Sequence, residues 1–228
     1  MNQYKRLTKI IGDDIYKLTN LKVLIIGIGG VGGMALEMLA RSGVGNITLV
    51  DYDTFEESNL NRQILSLNDN IGKGKVDIGK KRVLFINNKC NVVTYNKKVD
   101  IDFLNKLSPD FDYIIDACDD INAKVSLVKY AIKNDIKIIS CCGTGNRLNP
   151  SLLEITNIWK TEYDPLAKKL RYSLRKENIK YKLPVVVSKE KPVIKSSDYV
   201  GSIATVPNTA GILLASYVIN DILEKDWY

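Results

Sequence analysis

The stretch from Val23 to Gly32 leaves this chain few folds to choose from. Val23-Leu24-Ile25-Ile26 is a short continuous apolar run, as expected of a strand covered on both faces. Gly27-Ile28-Gly29-Gly30-Val31-Gly32 comes next as a GxGxxG turn, and Met34 to Ser42 continues with helical spacing. Gly43-Val44-Gly45-Asn46 stops that helix, and Ile47-Thr48-Leu49-Val50 is the next strand. Strand, glycine turn, helix and strand make a βαβ unit, right-handed by default. Glycines at such a turn let backbone N–H groups approach phosphate oxygens at a helix N-terminus.

The alternation continues. A helix is expected over Lys75–Asn87, strands at Asn91–Tyr95 and Tyr113–Asp116, a helix over Ile121–Asn134 and a strand at Ile136–Ser140. This is an α/β chain with a Rossmann-like, doubly wound and mostly parallel sheet, helices on both faces. Residues 1–20 read as a helical entry with Leu7, Ile10, Ile11, Ile15 and Leu18 on one buried face. Beyond Gly145 the pattern changes. Strands at Leu153–Trp159 and Leu183–Ser188 flank a basic helix over 163–178, and Ala210–Leu223 closes the chain as an amphipathic helix. With no repeat and no low-complexity linker, residues 1–228 form one expected domain: a core of 1–145 and a variable part of 146–228.

Charged residues gather around the glycine turn. Asp51 ends the second strand, 19 residues beyond Gly32, where an acid takes ribose hydroxyls; Asp53 is a second acid or a turn residue. A nicotinamide enzyme would fit to this point. Asn59-Leu60-Asn61-Arg62-Gln63 and Gly72-Lys73-Gly74-Lys75 fit it poorly. Two cations, Arg62 and Lys75, near a phosphate turn suit a triphosphate, whose leaving group gathers charge as the bond to the α-phosphorus breaks. As plain surface charges they would carry none of this. Asp116-Ala117-Cys118-Asp119-Asp120 sits at the C-terminal end of a strand, the ligand side of an open α/β sheet. A carboxylate there can hold Mg²⁺ against phosphate oxygens or cap the next helix; with Asp120 or Asn122 as the cap, Asp119 is left for the metal.

The absences narrow the chemistry. The chain has no histidine, which excludes a Ser-His-Asp triad and histidine-ligated metals. Cys90, Cys118, Cys141 and Cys142 form no CxxC pair, so a zinc ribbon has no ligands, and the last three read as small buried residues rather than nucleophiles. No apolar run is long enough for a membrane span, and Met1-Asn2-Gln3-Tyr4-Lys5-Arg6 lacks the features of a secretory leader, which gives a cytoplasmic expectation. The formal charge of +7 suits anionic partners and, equally, plain surface solubility. From Lys160 to Lys182 eight Lys or Arg face three acids, while Leu166, Leu170 and Leu174 recur every fourth position. Lys168, Lys169, Arg171 and Arg175 then present a positive face for RNA phosphates, or a solvated helix of a basic protein. Tyr163, Tyr172 and Tyr181 are stacking or packing residues.

These motifs, in this order, resemble the superfamily of ubiquitin-activating-like enzymes that includes the ThiF and MoeB adenylyltransferases. The anchors are Arg6 before Ile10-Ile11-Gly12, the Gly27–Gly32 turn, Asp51, Asn59 to Gln63, and Lys75 with Asp119. The resemblance implies that the glycine turn and Asp51 hold ATP, that Arg62 and Lys75 contact its phosphates, and that Asp119 binds magnesium. It implies a homodimer in which an arginine such as Arg6 or Arg62 reaches the site from the second copy. The shared reaction is attack of a carboxylate on the α-phosphate.

Gly143 to Pro150, Asp164 to Arg171, Val187 to Pro192 and Gly201 to Pro207 further resemble one branch, the tRNA threonylcarbamoyladenosine dehydratases. The resemblance implies adenylation of the carboxylate of threonylcarbamoyladenosine beside the anticodon, then ring closure with loss of water and release of AMP. A sulfur-relay protein is a further implied partner. The competing expectation is an adenylyltransferase for a ubiquitin-like sulfur carrier, which shares all the ATP anchors. Some relatives carry a functional cysteine in the C-terminal part, and this chain has none after Cys142.

Overall fold

The computed structural model describes residues 3–193 and 200–225. The entry is broken rather than continuous: α1 (Thr8–Ile11) and α2 (Ile15–Asn20) are separated by a 3₁₀ turn at Gly12–Asp14. Leu18 is buried and Leu7, Ile11 and Ile15 pack against the core, but Ile10 points out at 83% exposure, contrary to its expected place on the buried face. Gly12, with φ of 59°, ends α1 and redirects the chain into the 3₁₀ turn, so the helical period does not carry across it.

From there the alternation runs as expected, with shifted boundaries. The elements are β1 (Lys22–Ile26), α3 (Gly30–Arg41), β2 (Asn46–Val50), α4 (Lys75–Ile86), β3 (Asn91–Tyr95), α5 (Ile101–Lys106), β4 (Tyr113–Asp116), α6 (Ile121–Lys133) and β5 (Lys137–Cys141). Then come β6 (Leu153–Asn157), α7 (Pro165–Lys176), β7 (Pro184–Ser188) and α8 (Thr205–Ile222). α3 starts inside the glycine turn, and α5, too short for a clear periodic signal, is an addition. The segment from Leu153 to Trp159 is a strand only to Asn157, whose side chain accepts from Trp159 N and turns the chain into a 3₁₀ segment.

Seven strands form one sheet in the order β3-β2-β1-β4-β5-β7-β6. All pairings are parallel except β6 with β7. The chain runs outward from β1 through β2 to β3, then returns to place β4 on the other side of β1. The resulting switch point lies between β1 and β4, where the crevice opens beyond the strand ends. Alternate strand residues divide the interior. Val23 and Ile25 join the layer under α3, α4 and α8, while Leu24 and Ile26 join the layer under α5, α6 and α7. Both faces of β1 are thereby dry, as its unbroken apolar run requires.

Candidate active site

The crevice holds a cavity of about 360 Å³ at the C-terminal ends of β1, β2 and β4. Its floor is the glycine turn. Gly27 has a φ of +86°, and a Cβ there would stand 2.9 Å from the Ala117 carbonyl oxygen. A Cβ on Gly32 would lie 1.8 Å from the Gly27 carbonyl oxygen, which no side chain tolerates. The turn is therefore wrapped tightly and packed against the Ala117–Cys118 backbone, with the N-terminus of α3 behind it.

Asp51 is nearly buried and holds this turn. One carboxylate oxygen accepts from Ile28 N at 2.6 Å and the other from Asp53 N at 2.9 Å. Asp53 is more than a turn residue, because its carboxylate accepts from Lys75 Nζ at 2.9 Å. Lys75 is 6% exposed at the start of α4, so it is no loose surface charge. Asn59 is buried and lines the cavity, yet its side chain also closes a local capping box with Glu56. Arg62 lines the cavity and donates to Ser58 O at 2.7 Å and Asn61 Oδ1 at 2.9 Å. Asn61 in turn donates to Ser202 O at 3.0 Å, tying this strip to the approach of α8. Gln63 is buried beside the turn, its Oε1 without a protein partner among the described residues.

On the opposite wall the two candidate acids separate cleanly. Asp120 caps α6, accepting from Asn122 N at 2.8 Å and Ala123 N at 3.1 Å. The Ala123 amide first, then Asn122 and Lys98, hold its carboxyl below the usual range despite some desolvation. Asp119 is exposed and faces the cavity. Among the described residues no three His, Cys, Asp or Glu side chains gather as a metal cage. A lone carboxylate facing a polyphosphate suits Mg²⁺, which takes one or two carboxylates and completes its shell from phosphate and water.

Beneath Asp119 lies a polar cluster with no counterpart among the sequence expectations. Asp116, Lys124 and Ser140 are all fully buried. Lys124 Nζ donates to Asp116 Oδ2 at 2.9 Å, Ser140 Oγ at 3.1 Å and Cys141 O at 2.8 Å, using all three of its hydrogens. Ser140 Oγ donates to the same Asp116 oxygen at 2.6 Å, and Cys118 donates through N and Sγ to the other. Burial works against the Lys124 charge, and the Asp116 carboxylate more than offsets it, so the ammonium stays protonated. Cys118 lines the cavity, but burial and then Asp116 push its thiol well up, away from thiolate chemistry. Cys141 and Cys142 are buried as expected.

Two sets of expected site residues lie elsewhere. Arg6 is exposed at the N-terminus and does not line the cavity of its own chain. Of the four cations assigned to the basic face, Lys168 and Lys169 are exposed on α7, and Arg175 lies over the Trp159 ring at 5.6 Å. Arg171 departs from the expectation. It is half-buried, and its Nη1 donates to Thr161 O at 3.0 Å and to Thr161 Oγ1, fastening α7 to the preceding turn. Tyr172 is 70% exposed and Tyr163 51%, while Tyr181 packs against the core.

Similar proteins give this arrangement a context. The tRNA threonylcarbamoyladenosine dehydratase of Bacillus subtilis (strain 168) is 37% identical, over 98% of this chain and 96% of that protein. The Escherichia coli (strain K12) protein of the same name is 38% identical over 82% of this chain and 72% of that one. The crystal structure of the E. coli enzyme, TcdA, in complex with AMP matches with a TM-score of 0.92 at 32% identity, covering 97% of this chain and 94% of that one. The same enzyme in complex with ATP matches with a TM-score of 0.91 at 31% identity and the same coverage. The ThiF family model spans residues 2–226, and this chain belongs to the ThiF family.

Proposed function

We propose that this chain is an ATP-dependent tRNA threonylcarbamoyladenosine dehydratase. The observation that carries the reading is the cavity wall itself. Arg62 and Lys75 stand on one side, Asp119 on the other, and the Gly27–Gly32 turn lies between them. The near full-length similarity to dehydratases, one of them solved with ATP and with AMP, supports it. The turn amides and the two cations orient the phosphates and stabilise charge on the departing pyrophosphate. Asp119 holds Mg²⁺, which neutralises phosphate charge when bound. The substrate carboxylate attacks the α-phosphorus; pyrophosphate leaves. A second atom of the same modification then attacks the acyl carbon and expels AMP, so the nucleoside loses one water. Because the second step is intramolecular, positioning replaces a histidine base that the chain lacks.

The active form we infer is a homodimer. Arg6 faces solvent, and Ile10 beside it is 83% exposed, so this end offers apolar surface and a cation to a second copy. The second copy's Arg6 then reaches toward the phosphates. Lys168 and Lys169 meet tRNA phosphates, and a sulfur-relay protein is a further partner. No described helix is long and apolar enough to cross a membrane, which is in keeping with work on cytoplasmic tRNA.

The test is AMP release from ATP and Mg²⁺, with and without tRNA bearing threonylcarbamoyladenosine, followed by mass analysis of the nucleoside. The expected outcome is AMP that depends on the modified tRNA, with one water lost from the nucleoside. AMP formed only with a ubiquitin-like protein ending in a free carboxylate would instead make the chain a carrier adenylyltransferase.

A further inference from the structure

Five described residues other than glycine have positive φ. Asp135, Asn178 and Glu224 each come just after the end of a helix, where a left-handed residue is routine. Asn146 is of the residue type that tolerates the conformation best. Tyr163, at φ 55°, is different: a bulky aromatic just before the cap of α7, where glycine would sit without strain. A residue held against its preference points to a use for its side chain.

The surroundings show how Tyr163 is held. Arg147, 2% exposed, donates from Nη2 to the Tyr163 carbonyl oxygen at 3.0 Å. Asp164 is next in the chain, with one oxygen capping α7 through Ala167 N at 2.7 Å. Its other oxygen lies 2.9 Å from where a Cβ on Gly143 would be. Gly143 precedes Thr144, which lines the nucleotide cavity. Tyr163 is thus braced from below by buried groups and lies one loop away from the site of chemistry.

Its ring is not buried by this bracing. The residue is 51% exposed, and Lys191 Nζ stands 5.1 Å from the ring centroid. A groove that Tyr163 helps to line is completed by Glu154, Lys160, Glu162, Val187, Ser188 and Lys189. Lys189 is paired with Glu154 at 2.6 Å, which leaves Lys160 against Glu162 in the groove, with Lys191 at the ring. Lys168 and Lys169 lie exposed on the helix that Asp164 caps. An exposed ring on a braced backbone, with Lys191 over it and Lys160 in the same groove, offers an unpaired nucleotide stacking for its base and charge for its phosphate.

We propose that Tyr163 is a stacking platform for an unpaired base of the RNA substrate, one that neighbours the nucleoside entering the cavity. This rests on the tRNA reading above. Arg147 and Asp164 are positioning residues that hold the backbone carrying the ring beside the Thr144 rim.

The test measures binding of an anticodon stem-loop carrying threonylcarbamoyladenosine by fluorescence anisotropy at fixed salt, beside ATP binding. Tyr163→Ala weakens RNA binding by about 5- to 100-fold, the range for losing one stacked base, with ATP affinity unchanged. Tyr163→Trp restores it. Tyr163→Gly is decisive, because glycine suits the backbone but has no ring: the variant is at least as stable to heat, yet binds RNA as poorly as Tyr163→Ala. RNA affinity in Tyr163→Gly equal to the unaltered protein's would overturn the platform and leave the residue a turn former, with the dehydratase reading intact. If the unaltered protein binds no RNA, the tRNA reading falls, and the platform with it.

Discussion

Lys124 carries a full charge with no contact to water, and everything around it is arranged to keep it. Removing the ammonium leaves Asp116 as an uncompensated buried carboxylate, the costly way to break such a pair. Lys124→Met is therefore expected to cost about 3–5 kcal/mol, read from urea unfolding; a loss under about 1 kcal/mol would mean that water reaches Asp116. Pairing it with Asp116→Asn recovers part of that loss. The cluster was not legible in the sequence, for a physical reason. A lysine in the fourth position of a helix reads as solvated, and only the lateral order of β4 and β5 brings Asp116 and Ser140 to it. Contacts set by local spacing were legible. The choice between Asp119 and Asp120 comes from capping geometry alone, because a cap sits just ahead of its helix.

Helix α7 shows both sides of pattern reading at the next scale. Of the expected stripe Leu170 and Leu174 are buried, together with Ala167, while Leu166 in the first turn is only half-buried. The cations opposite share one face in the pattern, but side chains on a helix differ in what they can reach. Arg171 lies close enough to the carbonyls of the preceding turn to be spent on them, and Arg175 reaches Trp159. Lys168 and Lys169 remain exposed, as the proposed contact with tRNA phosphates requires. Their double replacement by glutamate is expected to weaken tRNA binding and to lower its salt slope by roughly 1 to 2, with ATP binding unchanged. A binding isotherm taken across a salt series checks this; an unchanged slope would remove α7 from the interface. The sequence pattern starts helix α8 at Ala210. The helix begins instead at Thr205, since a proline in the first turn forfeits no helical hydrogen bond.

For the molecule as a whole, the parallel part of the sheet was legible because buried parallel strands announce themselves as apolar runs. The C-terminal strands are visible in the pattern but not their placement: β7 inserts between β5 and β6, and only long-range packing decides that. The position of Arg6, outside its own cavity, gives the assembly a direct test. Arg6→Ala and Asp119→Ala are each expected to lose adenylation, by roughly 100-fold or more if each supplies a transition-state contact. If Arg6 acts in the second copy's site, mixing the two inactive variants after subunit exchange restores activity, because half of the sites in a mixed dimer have both residues. No recovery in a demonstrably mixed dimer would return Arg6 to a structural role.

The lining of the cavity is spread along nearly the whole chain, from Ile26 through Thr144 to Ser202 on the approach to α8 and Pro207 in its first turn. During synthesis the glycine turn therefore leaves the ribosome long before its last wall does. Until β7 arrives, β5 is the raw edge of a half-built sheet, open to pairing with another chain. Most of the nucleotide cavity is made once Thr144 has emerged, but its last wall, at Ser202 and Pro207, comes only near the end of the described chain. Closing the sheet edge and closing the cavity are thus both tasks of the C-terminal segment.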